Sequence, residues 1–333
     1  MYFPLIPFQW RRIRSGASLA LATAAALVSL IATAQDYPAK PVTVVVAYAP
    51  GGMGDSFART VAERMSVALK QTVLVDNKPG ATGAIGTRFV AKSAPDGYTL
   101  LLGQTGEISI NAAVMKSPGY DALRELKPVI LVGEAPLVMV APANAPFSTV
   151  RELGQVAVAK PGSLTYASSG TATPGHLAAA ALTLGLKSDI AHAPYKGAGP
   201  ALTDVLGGHV AFFFSSAPAA LPHVRTGKLK AIAVSSAARM PTLPNVPTVA
   251  ETLPGFNFSL WGGVFAPSSM PAELVTTLNR EINKIIADPA IRQKLEDQGA
   301  IVRANNADEF ADFVRRESSK YQQVVKQIGI IAE

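Results

Sequence analysis

"VTVVVAYAPGGMGDSFAR", residues 42–59, decides the fold. The run from Lys40 to Ala49 is β-branched and nearly continuously apolar, as strands buried on both faces of a parallel sheet are. It breaks at a glycine cluster. Phe57, Val61, Met65 and Leu69 then recur four apart, the spacing of an amphipathic helix. A strand, a glycine turn and a helix in that order open an α/β unit.

The same order repeats downstream. "TVLVDN" at 72–77 reads as the next strand, followed by a glycine-rich turn, a helix ending before Pro95, an Asp-Gly turn and a strand at 98–102. Residues 128–147 read as two apolar strands flanking Glu134, where the chain is expected to cross into a second domain. A second alternating run follows. Helices are expected at 148–159, 176–184 and 200–205, with a further one ending near Gly227. Strands are expected at 164–167, 190–193, 210–214 and 229–235. Proline-rich 238–256 reads as the return crossing, "FSLWGGVFAP" as a strand, and the chain from Pro271 as helical, with a break at Asp288-Pro289 and a short strand at 301–302. The expectation is an α/β protein of two Rossmann-like lobes with a cleft between them: 35–137 plus 253–333 as lobe 1, and 138–252 as lobe 2. Ligands of open α/β sheets bind outside the carboxyl ends of strands.

Residues 1–34 read as an export signal: Arg11, Arg12 and Arg14, then an apolar run from Ala17 to Ile31, then Ala32-Thr33-Ala34 before Gln35. The apolar run is short for a bilayer span of about 20 residues. No Phe-Leu follows the Arg pair, which favours the general secretory route over the twin-arginine one. Cleavage is expected between Ala34 and Gln35, with the mature protein in the periplasm. Removing the segment takes three positive charges from a formal +7. Basic tracts with interleaved aromatics are missing, which argues against nucleic acid. There is no cysteine, so neither disulfides nor thiolate chemistry enter. The histidines lack metal-ligand spacing, and no metal is expected.

Two small-residue loops follow strands, one in each expected lobe. In "PGGMGDS", Gly51, Gly52 and Gly54 let backbone amides approach a ligand, and the helix expected to begin near Asp55 adds the free N–H groups of its first turn. Asp55 is expected to cap and brace the loop. Neither G-x-G-x-x-G nor Gly-Lys-Ser/Thr is present there, so no cofactor is expected. "SSGTATPGH" offers the hydroxyls of Ser168, Ser169, Thr171 and Thr173, with Gly170 for the turn and His176 at a helix start. A lone histidine such as His176 is more often a packed or capping residue than a catalyst. No serine here sits in a G-x-S-x-G elbow. Tyr195 and Lys196, at the end of a strand, point to the same cleft.

"YPAKPVTVVVAYAPGGMGDSFAR", "VDNKPGATGAIGTRFVAKSAPDGYTLLLG", "YASSGTATPGHLAAA", "HAPYKGAGPALTDVLGGHV" and "LPNVPTVAE" together resemble the Bug family. These are periplasmic solute receptors of the tripartite tricarboxylate transporter class, and the resemblance runs in order from Tyr37 to the last helix. It implies a two-lobed fold like that of type II periplasmic binding proteins. It implies a small carboxylate ligand, delivery to membrane permease subunits, a monomer and no enzymatic activity. Carried over by motif, the binding residues are Pro50, Gly51, Gly52, Met53, Gly54 and Asp55 of the first loop. The loop after the third strand adds Gln104 and Thr105. The second lobe adds Ser168, Ser169, Gly170, Thr171, Thr173 and His176, then Tyr195 and Lys196 of "PYKG", then Ser215 and Ser216.

Two positions depart from the family pattern. The family's V-D-x-x-F-D is Val210-Ala211-Phe212-Phe213-Phe214-Ser215 here, so Ser215 replaces an acid. Met53 stands where a small residue is common, and a flexible thioether adds apolar contact and narrows the site. Loss of the acid at Ser215 would admit a more anionic ligand or change how a distal ammonium or hydroxyl is read. The two departures count against citrate or a simple dicarboxylate, and Met53 points to an aromatic or branched acid. Two other readings stay open. One is a receptor coupled to a sensor rather than a permease. The other is an exported hydrolase using Ser169 and His176, which requires the nucleophile and base within about 2.6–3.2 Å.

Overall fold

A computed structural model describes residues 1, 2, 4 and 37–329. The chain divides into a unit of residues 1–39 and a unit of residues 40–333, and everything below concerns the second. The expected export signal and its cleavage point lie almost wholly outside the described residues. Among the described residues no helix is long and apolar enough to cross a membrane.

The elements, in chain order, are β1 (Val42–Val46), α1 (Met53–Ala68), β2 (Val73–Asn77), α2 (Ala84–Ala91), β3 (Thr99–Gln104), a π-helical turn (Gly106–Ile110) running into α3 (Asn111–Val114), and α4 (Ala122–Glu125). Then come β4 (Leu126–Pro142), α5 (Val150–Ala159), β5 (Leu164–Ser168), α6 (Pro174–Gly185), β6 (Ile190–Pro194), α7 (Ala198–Leu206), β7 (Phe212–Ser216), α8 (Ala217–Arg225) and β8 (Leu229–Val234). The chain closes with β9 (Ser259–Pro267), α9 (Ala272–Ala287), α10 (Pro289–Glu296) and α11 (Ala307–Ile328). The chain folds as two α/β lobes.

The strand order is β2-β1-β3-β9-β4-β7-β5-β6, with β8 on the other flank of β4. β1 pairs in parallel with both β2 and β3, and β5 with both β6 and β7. β4 is a single strand of 17 residues, not the two strands expected around Glu134. Its first half, Leu126 to Pro136, pairs with β9, and its second half, from Leu137, lies between β7 and β8. Register shifts between Pro128 and Ile130 and between Leu131 and Gly133 interrupt the pairing with β9 without ending the strand.

Ser235, fully buried, ties the two crossings together. The Leu137 amide donates to its hydroxyl at 2.8 Å, and that hydroxyl donates to the Phe258 carbonyl at 2.6 Å. The Ser235 amide donates to Leu137 and the Phe258 amide to Ser235, each at 2.9 Å.

Each face of the second sheet carries its own apolar cluster. Phe212 and Phe214 enter one cluster and Phe213 the other, as the two-residue strand period requires. In the first lobe Trp261, Phe265, Phe310 and Val314 pack over β1 and β3. The last helix straddles both lobes. Its Phe310 and Val314 join the first-lobe cluster, and its Tyr321 and Val325 join the cluster containing Leu177 and Phe214. Residues 106–114, which carried no helical expectation, form the π-turn and α3. The expected strand at 301–302 is a single bridge from Ile301 to Glu134.

Gly263 in β9 allows the last helix to dock. A Cβ there would lie 2.7 Å from the Ile130 carbonyl oxygen and would overlap the Phe310 ring. Overpacking of this kind costs about 1–3 kcal/mol. Gly263→Ala is therefore expected to lower stability in denaturant unfolding by that order, and a neutral result would show that the Phe310 contact is loose.

Candidate functional site

Four strands of the two sheets end at the interlobe cleft, and each feeds a helix. The start of α1 places Gly52 and Met53 there, the start of α6 Thr173 and Pro174, the start of α7 Gly197 and Ala198, and the start of α8 Ser216. These residues line one cavity. The first turn of a helix has N–H groups without intrahelical acceptors, and its dipole adds partial positive charge. Among the described residues no Lys, Arg or His lines the cavity, and the ionisable carboxyl lining it is Asp55.

The first loop is held from within. The α1 helix begins at Met53 with Gly52 as its cap residue, two positions before the expected start, and Asp55 sits in its first turn. The Asp55 carboxylate accepts from the Gly51 amide, from Asn77 Nδ2 and from Arg59 Nε, each at 3.1 Å. Burial alone would raise its pKa, but the bonds from Arg59, Gly51 and Asn77 outweigh it and hold the carboxyl below the usual range. Asp55 thus braces the loop without being its N-cap. The Gly54 amide donates to Gln104 Oε1 at 3.2 Å, so Gln104 has its Nε2 donors left to offer the cavity.

The second loop divides its hydroxyls into two kinds. Ser168 is fully buried, 2.6 Å from His192 Nε2 and bonded to both polar groups of the Gly170 backbone. The Thr173 hydroxyl donates to the Gly170 carbonyl at 2.8 Å and caps α6 by accepting from the His176 amide. His176 Nδ1 accepts from the amide of Ala172, a non-glycine residue at φ 65°, and its ring stacks on His192 at 3.8 Å. Burial, with His192 adding to it, pushes the His176 imidazole down to about 3, and burial pushes His192 down to about 4. Both rings are neutral braces near pH 7. Ser169 and Thr171, half-buried, keep their hydroxyls free among the described residues.

Of the residues singled out in the sequence, Gly52, Met53, Gly54, Asp55, Gln104, Ser169, Thr173 and Ser216 line the cavity. Gly170, Thr171, Tyr195 and Lys196 line an adjoining space of about 570 Å³ that shares Tyr48 and Ser169 with it. The Tyr195 hydroxyl is already committed to Asp204 at 2.5 Å. Pro50 and Gly51 lie on the exposed lip. Thr105, Ser168, His176 and Ser215 are buried behind the surface. Thr105 accepts from the Trp261 amide at 2.9 Å. Ser215 fails to reach the cavity because β7 alternates: Phe214 and Ser216 face it, and Ser215 faces the other way. The Ser216 hydroxyl is buried without a partner among the described residues.

Tyr48, Ala49, Leu137 and Leu260 were missed. Tyr48 and Ala49 follow the end of the first strand, and the strand-end rule could have found them. Leu137 and Leu260 sit in apolar crossing strands and carry no local signal.

The lobes touch at the mouth. The Ala49 amide donates to the Lys196 carbonyl at 3.4 Å, and Gly197, at φ 137°, lets Ala49 approach to 3.1 Å of where a Cβ would stand. No nucleophile–base pair lies in the cavity. The one Ser–His contact, Ser168 with His192, is behind it. Among the described residues no group of His, Asp and Glu is placed to hold a metal.

Behind Tyr48 lies Glu107, fully buried in the π-turn. Its Oε1 accepts from the Gln104 amide at 2.6 Å, and its Oε2 has no partner among the described residues. Burial pushes this carboxyl up to about 8. The folded protein therefore keeps a proton that the unfolded chain loses above its ordinary 4.5, so stability falls as pH rises toward about 8 and levels off beyond. Glu107→Gln is expected to flatten the decline of melting temperature from about pH 5 to about pH 8. An unaltered slope would place the titrating group elsewhere.

Residues 57–330 match the profile of the tripartite tricarboxylate transporter family receptor. The chain is 37% identical to protein BugT of Bordetella pertussis strain Tohama I over 316 residues, 94% of this chain and 96% of that one. Among solved structures it is similar to Rpa4515 of R. palustris with adipate, at 32% identity and a TM-score of 0.86, covering 89% of this chain and 99% of the other. It is likewise similar to MatC of Rhodopseudomonas palustris with bound malate, at 32% identity and a TM-score of 0.82, covering 87% and 100%.

Proposed function

Because the chain belongs to the tripartite tricarboxylate transporter receptor family, we propose that its interlobe cavity holds the carboxylate of a small organic acid. The protein is a periplasmic solute-binding receptor, not an enzyme, and it serves the membrane permease subunits of such a transporter. Relatives bound to adipate and malate support the ligand class.

The observation that carries the reading is the meeting of the starts of α1, α6, α7 and α8 in a cavity with no basic side chain. Helix N-termini favour negative charge, each by about 0.3–1 kcal/mol when exposed and up to about 2 when partly buried. The Ser216 hydroxyl, the Ser169 hydroxyl and Gln104 Nε2 are the free side-chain donors around them. Asp55 stays with its loop, since its charge would repel the ligand's. In thermal-shift and calorimetric assays the ligand-stripped protein should be stabilised by carboxylates and not by neutral sugars. Ser216→Ala should weaken a carboxylate by about 1.5–3 kcal/mol, the range for a hydrogen bond to a charged group. Tight binding of an uncharged sugar alone would refute the ligand class.

The lobes proposed are 35–137 with 253–333, and 138–252, hinged where Ser235 joins Leu137 to Phe258. The contact of Ala49 with Lys196 at the mouth belongs to the closed form of such a hinge. Small-angle scattering should show compaction when a binding carboxylate is added. An unchanged radius of gyration alongside measured binding would mean a preformed closed site.

A further inference from the structure

Resting on the carboxylate-receptor reading, we infer that the cavity selects a monocarboxylate with an apolar body over a dicarboxylate. The walls divide by chemistry. The helix starts, with the Ser169 and Ser216 hydroxyls and Gln104 Nε2, supply the hydrogen-bond donors. Much of the remaining wall is Leu137, Phe214, Leu260 and Met53. Leu137 and Phe214 belong to one apolar cluster and Leu260 packs against it, so these three give an apolar stretch of wall whose side chains offer no hydrogen bond, with Ser216 beside Leu137 at its edge.

A second carboxylate entering this cavity would lose its water against that surface, and burying a charge without a partner is costly. No cation lines the cavity to compensate it. The one ionisable carboxyl there, Asp55, is paired with Arg59 and held by Gly51 and Asn77, so neither member of that pair is free to receive a second carboxylate. Lys196 is exposed and lines the adjoining space, which meets the cavity at Tyr48 and Ser169. An aromatic or branched aliphatic body placed on the same surface is instead favoured in proportion to the apolar area it hides from water.

The test is calorimetry on the purified, ligand-stripped receptor with phenylacetate and 3-methylbutanoate against succinate, malate and adipate. The expected result is at least about ten-fold tighter binding of a monocarboxylate. Leu260→Asn should abolish that preference and Leu260→Met should keep it. Leu260 is only half-buried, so both variants are expected to fold, and the wild-type panel decides the matter without them. If succinate, malate or adipate binds as tightly as the monocarboxylates or more so, the inference is overturned while the receptor reading stands. If no carboxylate binds at all, both fall.

Discussion

The antiparallel pairing of β4 with β9 is the contact on which the rest depends. It runs from Leu126 with Pro267 to Pro136 with Ser259, and β4 then continues into the centre of the second sheet. One strand is thus shared by two sheets, and the return strand lies beside it. The carboxyl ends of β1, β5, β6 and β7 are brought to one cleft because both sheets are built on this pair. Ser235 locks the two crossings at the point where they would otherwise separate. It leaves no backbone group unpaired there, which a buried crossing requires.

The cavity offers an anion donors without a cation among the described residues that line it. A buried lysine or arginine would bind an anion strongly, but it would stand uncompensated whenever the cleft is empty, and an isolated buried charge is costly. Helix starts and hydroxyls avoid that penalty, since water can satisfy them before the ligand arrives. The acids nearby are managed in opposite ways. Asp55 is kept ionised by three donors and spent on its own loop, whereas Glu107 is kept protonated by burial. Neither is left as an open negative charge competing with the ligand.

The second loop shows how much of a binding loop is support. Ala172 sits in the left-handed region, which costs a non-glycine residue roughly 1–2 kcal/mol. The bond from its amide to His176 Nδ1, the stack of His176 on His192, and the bond of His192 to Ser168 hold it there. The hydroxyls of Ser168 and Thr173 are consumed by this frame. Ser169 and Thr171 remain free because the frame turns them outward.

The sequence by itself determined the alternation of strands and helices, the two small-residue loops at strand ends, the family and the receptor class. These follow from local periodicity and from motifs contiguous in the chain, such as Phe57, Val61 and Met65 on one helix face. Tertiary structure alone decided that 126–142 is one strand, because the partners that carry it past Pro128 and Pro136 lie over a hundred residues away in β9. It also decided which hydroxyls are free. Ser168, His176 and Ser215 looked the same in the sequence as Ser169 and Ser216, and only burial, a stacked histidine and the two-residue period of β7 separate them. The apolar surface of Leu137, Phe214 and Leu260 was invisible for the same reason: three strands distant in sequence contribute one side chain each, and no single stretch of chain records their meeting.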